Sequence, residues 1–160
     1  MSLLLLVPFV LSIVTLSPLA QTDARPEKTV IKMERYECFG SCPVYSVEIH
    51  GDGTVIYKGK KFVWVKGTQV FKIPVASVVD LVSEFEKINY FSLAAEYVKQ
   101  VNEDGSITTV SDLPGTDTWI SLNGKTKSVY DYFGGPASLR ELEDKIDAVS
   151  ESARFVKKGF

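Results

Sequence analysis

The chain is poor in the residues that most often carry chemistry. Its 160 residues include two cysteines and one histidine, and 18 Lys and Arg face 20 Asp and Glu, a formal net charge of −2. Each shortage excludes something. A single histidine, His50, leaves a nucleophilic triad one candidate base and gives a metal no cluster of imidazoles. The absence of a concentrated basic face removes the electrostatic footing on phosphate that nucleic-acid binding needs. The densest basic group, Lys58, Lys60 and Lys61, reads as a solvated hairpin edge that discourages strand pairing. No internal repeat and no low-complexity tract is present. The composition, 45% hydrophobic and 24% charged, is that of a folded domain and not of a disordered chain.

Charge is missing altogether from Met1 to Ala20, and Leu3 to Leu16 is nearly all apolar, interrupted by Pro8, Ser12 and Thr15. That run is shorter than the ~20 apolar residues of a membrane span. It suits the core of a signal peptide over residues 1–20, cleaved after Ala20, although Pro18 fits a small-x-small site poorly. An uncleaved anchor is the alternative. No cysteine lies near the cleavage region to carry a lipid. With the leader removed, no stable membrane span is expected, and the protein is expected to be secreted or periplasmic. Residues 21–28 read as a polar linker, and 29–160 as a single α+β domain.

Hydrophobic periodicity gives the outline of that domain. Thr29 to Tyr36 has strand character. Tyr45, Val47 and Ile49 alternate with Ser46, Glu48 and His50, the period of a half-buried strand. Gly51-Asp52-Gly53 turns the chain into a return strand from Thr54 to Tyr57. Phe62 to Val65 and Gln69 to Ile73 read as further strand, with Gly67 as a turn or bulge. The period then changes. Pro74 suits the first position of a helix whose apolar stripe is Val75, Val78, Val79, Val82 and Phe85, ending near Asn89. Tyr90, Phe91 and Leu93 are expected to fold back on the sheet. Ala94 to Thr116 is irregular, and such segments are often functional or mobile. Trp119, Ile120 and Leu122 lead into Asn123-Gly124, a type I′ hairpin signal, and Lys125 to Tyr130 returns. After Gly134-Gly135-Pro136 a second helix carries Leu139, Leu142, Ile146 and Val149 inward, with Glu141, Glu143, Asp144 and Lys145 facing out. The expected architecture is an antiparallel sheet of about six strands with both helices on one face. Tyr45, Val47, Ile49, Val55, Tyr57, Trp64, Phe71, Trp119 and Ile120 are the expected sheet side of the core.

Cys38 and Cys42 are separated by Phe39-Gly40-Ser41. In an oxidising compartment they favour a disulfide. An extended stretch would hold their Cα atoms about 13 Å apart, whereas a disulfide needs about 4.4–6.8 Å, so the loop must turn sharply. Gly40 is the residue able to take a positive φ there. The bridge reads as a clamp on the turn joining the first two strands, worth about 2 kcal/mol on chain-entropy grounds. Redox and metal readings stand beside it. A redox pair is usually Cys-x-x-Cys at a helix start. The copper-delivering thioredoxin-fold proteins carry Cys-x-x-x-Cys-Pro and take a histidine from a distant loop. Here His50 would lie roughly 26 Å along the same strand from Cys42.

The run Cys38-Phe39-Gly40-Ser41-Cys42-Pro43-Val44-Tyr45-Ser46-Val47, with Asp52-Gly53-Thr54-Val55-Ile56-Tyr57-Lys58-Gly59 after it, resembles the bacterial domain of unknown function 6438 family. Gly124-Lys125, Gly135-Pro136 and Leu142 to Asp147 fit the same pattern, so the resemblance covers roughly Thr29 to Val156. It implies a small domain, often secreted, and carries over no catalytic residues.

The remaining chemistry is acidic. Asp112 and Asp117 flank Leu113-Pro114-Gly115-Thr116 and are expected either to cap the turn or to converge as a ligand or cation site. Glu103 and Asp104 would add oxygens for weak Ca²⁺ binding, although the EF-hand spacing is absent. His50 is expected to be solvated on the polar face of its strand, and Ser41 to be structural. No cofactor and no resident metal are expected, and no residue is assigned a catalytic role. Seven tyrosines include candidates for an exposed recognition face. Three function classes follow. The first is a noncatalytic binding or interaction module with an unknown protein or glycan partner in the envelope or outside the cell. The second is an inhibitor-like or structural partner of another secreted protein. The third is an enzyme using Asp112 and Asp117.

Overall fold

Residues 28–156 are described by the computed structural model. The predicted leader, 1–20, and nearly all of the linker lie outside them. In chain order the elements are β1 (Val30–Arg35), β2 (Val44–His50), β3 (Thr54–Lys61), β4 (Gly67–Lys72), α1 (Val75–Lys87), β5 (Glu96–Val98), β6 (Gln100–Val101), β7 (Ile107–Thr108), β8 (Thr116–Leu122), β9 (Lys125–Phe133) and α2 (Ala137–Val149). Single 3₁₀ turns follow each helix, at Tyr90–Ser92 and Ser152–Arg154.

The chain is α+β, but the sheet is larger than expected. It has seven strands in the order β4-β3-β2-β1-β8-β9-β5, and β6 and β7 form a separate two-stranded ribbon. Six strands run antiparallel, while β5 pairs parallel with β9. The reason is topological. The chain leaves β4 at one edge and, after α1, enters β5 at the other, so β5 takes its direction from the crossover and not from a hairpin. β1, the first strand, ends at the centre between β2 and β8.

Alternation along the strands puts one row of side chains on the helix side. Ile31 sits opposite Ile49 and Ile120, and Met33 opposite Val47. These join Val78, Leu81, Phe85, Leu139, Leu142 and Ile146 in one buried cluster. Tyr90 is fully buried and donates its hydroxyl to the Thr118 carbonyl. Asn89, in the left-handed region at φ 52°, ends the α1 segment as expected.

Four expectations are corrected. The α1 face turned to the sheet is Val78, Leu81, Val82 and Phe85, spaced i, i+3, i+4, i+7; Val75 and Val79 are exposed. Trp119 faces the open side with the Lys32 ammonium over its ring, because Ile120 faces the core and successive strand residues alternate. Phe62 to Val65 is not a strand. Phe62 takes a positive φ of 53°, the chain curls away, Trp64 is exposed, and the Trp64 and Val65 N–H groups donate to the Phe155 carbonyl instead. Glu143, expected to face solvent, is buried.

No helix among the described residues is long and apolar enough to cross a membrane. Leu81→Ala is expected to cost about 2–5 kcal/mol, and Val79→Ala, two positions away on the exposed side, no more than about 1 kcal/mol; urea unfolding of the two variants distinguishes the faces.

Candidate functional site

Two places in the fold combine polar investment with access: the cysteine loop before β2, and the end of the sheet under α2.

Cys38 and Cys42 form the disulfide, with Cα atoms 5.7 Å apart. Gly40 takes φ 139°, and a Cβ there would meet nothing within 4 Å, so the glycine serves the turn and not a close contact. Phe39 is thrown outward and is 87% exposed, the most exposed large apolar side chain among the described residues. Its N–H donates to the Asp112 carbonyl at 3.1 Å, and the Tyr36 N–H donates to the Gly115 carbonyl at 2.9 Å. The loop is therefore fastened at one end by sulfur and along its side by residues 112–115. Leu113 of that segment and Val110 just before it are exposed as well.

The predicted acidic residues are scattered among different elements. Glu103 and Asp104 lie in the turn of the β6–β7 ribbon, where Asp104 Oδ1 accepts from the Ser106 N–H and hydroxyl. Those bonds hold its carboxyl below the usual range. Asp112 is exposed at φ 68° and contributes its backbone carbonyl to the cysteine loop. Asp117 lies in β8 and accepts from the Ser128 hydroxyl at 2.5 Å. Among the described residues, no group of three His, Cys, Asp or Glu side chains stands in position to hold a metal ion. His50 Nε2 lies 2.9 Å from Glu48 Oε1 on the open face of the sheet.

The concentrated chemistry lies elsewhere. Arg35 is opposite Tyr45 on β2 and Thr116 on β8, and Thr116 is opposite Asp131 on β9. One row across the inner face thus reads Tyr45, Arg35, Thr116, Asp131, and α2 lowers Glu143 and Asp147 onto it. Asp147 Oδ2 accepts from Arg35 Nε at 2.8 Å and Nη2 at 2.7 Å. Its Oδ1 accepts from the Tyr45 hydroxyl at 2.6 Å and the Ser152 hydroxyl at 2.7 Å. Burial works to lower the Arg35 pKa, but Asp147 beside it wins and the net direction is up. Burial, reinforced by Asp147, pushes the Tyr45 hydroxyl well up.

Glu143 is less well served. Its Oε2 is 3.9 Å from Arg35 Nη1, and its Oε1 has no hydrogen-bond partner. Burial pushes its pKa up to about 7, against the pull of Arg35 and with help from Asp131. Asp131 is 7% exposed, and its Oδ1 is likewise without a partner. Burial raises its pKa, against the pull of Arg140 and the Gly135 N–H. Asp131 also reaches the surface, at a cleft of about 520 Å³ shared with Gln100, Leu113, Tyr132, Phe133 and Arg140.

The family described as a domain of unknown function, DUF6438, matches residues 29–150. The chain belongs to that family. No curated protein matches it. The matched span of this family member takes in both the cysteine loop and the polar row.

Sequence reasoning missed the row, although its signal was present. Arg35 continues the inward alternation of Ile31 and Met33, and Asp131 that of Val129. Glu143 is four residues beyond Leu139, and Asp147 four beyond Glu143. For Glu143, expected to face out with its acidic neighbours, helical period alone puts the side chain inside.

The Glu143 carboxyl gives a pH signature. Its folded pKa, about 7, lies above its ordinary 4.5. Its contribution to stability is complete below the lower value and is lost as pH rises through the upper one. Relative to Glu143→Gln, which cannot titrate, the protein is expected to lose on the order of 3 kcal/mol between those limits, read by denaturant unfolding across the pH range; a constant difference would contradict the assignment.

Proposed function

We propose that this protein is a noncatalytic interaction module of the cell envelope or the extracellular space, and that it engages a partner protein by inserting Phe39 into an apolar pocket. One observation carries the reading: a large aromatic side chain, 87% exposed, stands at the tip of a disulfide-closed loop. An exposed Phe loses its hydration cost only when covered. A loop already closed by a disulfide also gives up little conformational freedom on docking, so its contacts convert more fully into affinity. Aromatic anchors of this kind dominate binding energies.

The occupant is a protein and not a lipid surface. The loop is bordered by Asp112, Glu37 beside it is already paired with Lys61 at 2.8 Å, and the chain carries a net charge of −2, so no free basic patch meets anionic lipid headgroups there. A convex single anchor calls for a concave apolar receptor. The hydrophobic leader and the disulfide both support an oxidising location. The inhibitor-like reading shares this geometry and differs only in the receptor, which would then be a catalytic cleft.

The test is a photo-crosslinker placed at position 41, used in the native envelope to capture the partner, followed by reconstitution. Phe39→Ala is expected to weaken the complex by about 30-fold or more with unfolding unchanged. Cys38→Ser/Cys42→Ser is expected to weaken it less, through lost preorganisation. Undiminished binding by Phe39→Ala, or partition of the protein onto neutral vesicles through Phe39, would refute the docking mode. Loss of an enzymatic activity of the captured partner in the complex would select the inhibitor.

A further inference from the structure

We propose that β4, an edge strand of the sheet, pairs antiparallel with β4 of a second copy of this chain, in a two-fold register centred on Val70.

The two edges of the sheet are built differently. β5, at one edge, is three residues long, and its ladder with β9 is interrupted by a register shift between Tyr97 and Val98. Short, irregular edges of that kind resist further pairing. β4, at the other edge, runs six residues along β3 with no shift, from Lys72 opposite Thr54 to Gly67 opposite Gly59. It has none of the usual guards: no proline, no bulge, and no charge from Gly67 to Phe71. Lys58, Lys60 and Lys61, expected from the sequence to guard an edge, lie on β3, one strand further in. Every β4 residue except Phe71 is exposed, Val70 at 64%.

The backbone decides which groups are free, and so the register. The Ile73 N–H donates to the Gly53 carbonyl at 2.9 Å, which turns the backbone groups of Ile73 toward β3. Alternation along an antiparallel ladder gives Phe71 and Gln69 the same direction. It leaves the N–H and C=O groups of Thr68, Val70 and Lys72 pointing away from the sheet, where no further strand lies among the described residues. A two-fold axis at Val70 lets Val70 exchange both bonds with Val70 of the second copy, and Thr68 with its Lys72. The two Val70 side chains then meet on the open face, beside Ile56 of each copy. Charge suits a second copy as the occupant. Lys72 opposes Thr68 and not another lysine, and its ammonium is already held by Asp52 Oδ2 at 2.8 Å, so no like charges face each other across the seam. A contact of this symmetry asks for nothing beyond the one edge, present on both partners.

The experiment is sedimentation of the protein over a wide concentration range, together with hydrogen exchange read amide by amide. A concentration-dependent dimer is expected. The Thr68, Val70 and Lys72 amides should gain protection as it forms, while those of Gln69 and Phe71, bonded to β3, stay protected throughout. Val70→Lys and Val70→Glu, at an exposed position, are each expected to fold as the parent does. Each should weaken the dimer by about tenfold or more, because like charges then face each other; an equal mixture of the two is expected to dimerise again. Phe39→Ala should dimerise normally, which separates this edge from the docking loop. A monomer at every concentration, whether its edge amides are open or covered by another segment of the chain, would overturn the proposal. So would a dimer that both single variants leave intact, or one that mixing them fails to restore.

Discussion

The Asp147 carboxylate is the tie on which the arrangement of this molecule turns. Four donors converge on its two oxygens, from Arg35 in β1, Tyr45 in β2 and Ser152 after α2. The first two strands and the last helix are more than a hundred residues apart in sequence, and these bonds fix the end of α2 over the centre of the sheet. Buried ion pairs of this kind are poor evidence for net stability, because desolvation offsets much of the attraction. Their effect is geometric: donors from β1, β2 and the turn after α2 converge on one carboxylate and hold the end of the helix in place.

That placement has a consequence for the neighbouring acids. With Arg35 committed to Asp147, its guanidinium reaches Glu143 only at 3.9 Å. Glu143 is left buried with an unpartnered oxygen and titrates near neutrality. Asp131, at the β9 end of the same row, is likewise buried with an unpartnered oxygen. The polar row thus has a fully partnered carboxylate at Asp147 and two buried carboxyls, Glu143 and Asp131, each with one unpartnered oxygen.

The segment between β5 and β8 links the cysteine loop to the cleft beside β9. Its Asp112 carbonyl holds the Phe39 N–H, its Leu113 N–H donates to the Tyr132 hydroxyl at 3.3 Å, and its Leu113 and Gln100 side chains border the Asp131 cleft. The backbone of this stretch ties it to the cysteine loop and to β9. Of its carboxylates, Asp104 is occupied locally by Ser106.

The sequence by itself determined what depends on neighbours along the chain. Period-two alternation in β2 and β3, the Asn123-Gly124 turn, the two helices, and the sharp loop demanded by Cys38 and Cys42 are all local consequences of residue type and spacing. Tertiary structure alone decided matters that depend on distant partners. The parallel β5 edge follows from where α1 delivers the chain. The excursion of Phe62 to Val65 follows from a carbonyl at Phe155, and the inward phase of Leu81 from the sheet that receives it. The polar row is the sharpest case. Spacing places Arg35, Asp131, Glu143 and Asp147 at inward positions, but a charge can stay there only if its counterpart arrives from another element, and nothing local to any one of these residues reveals that the other three will be there.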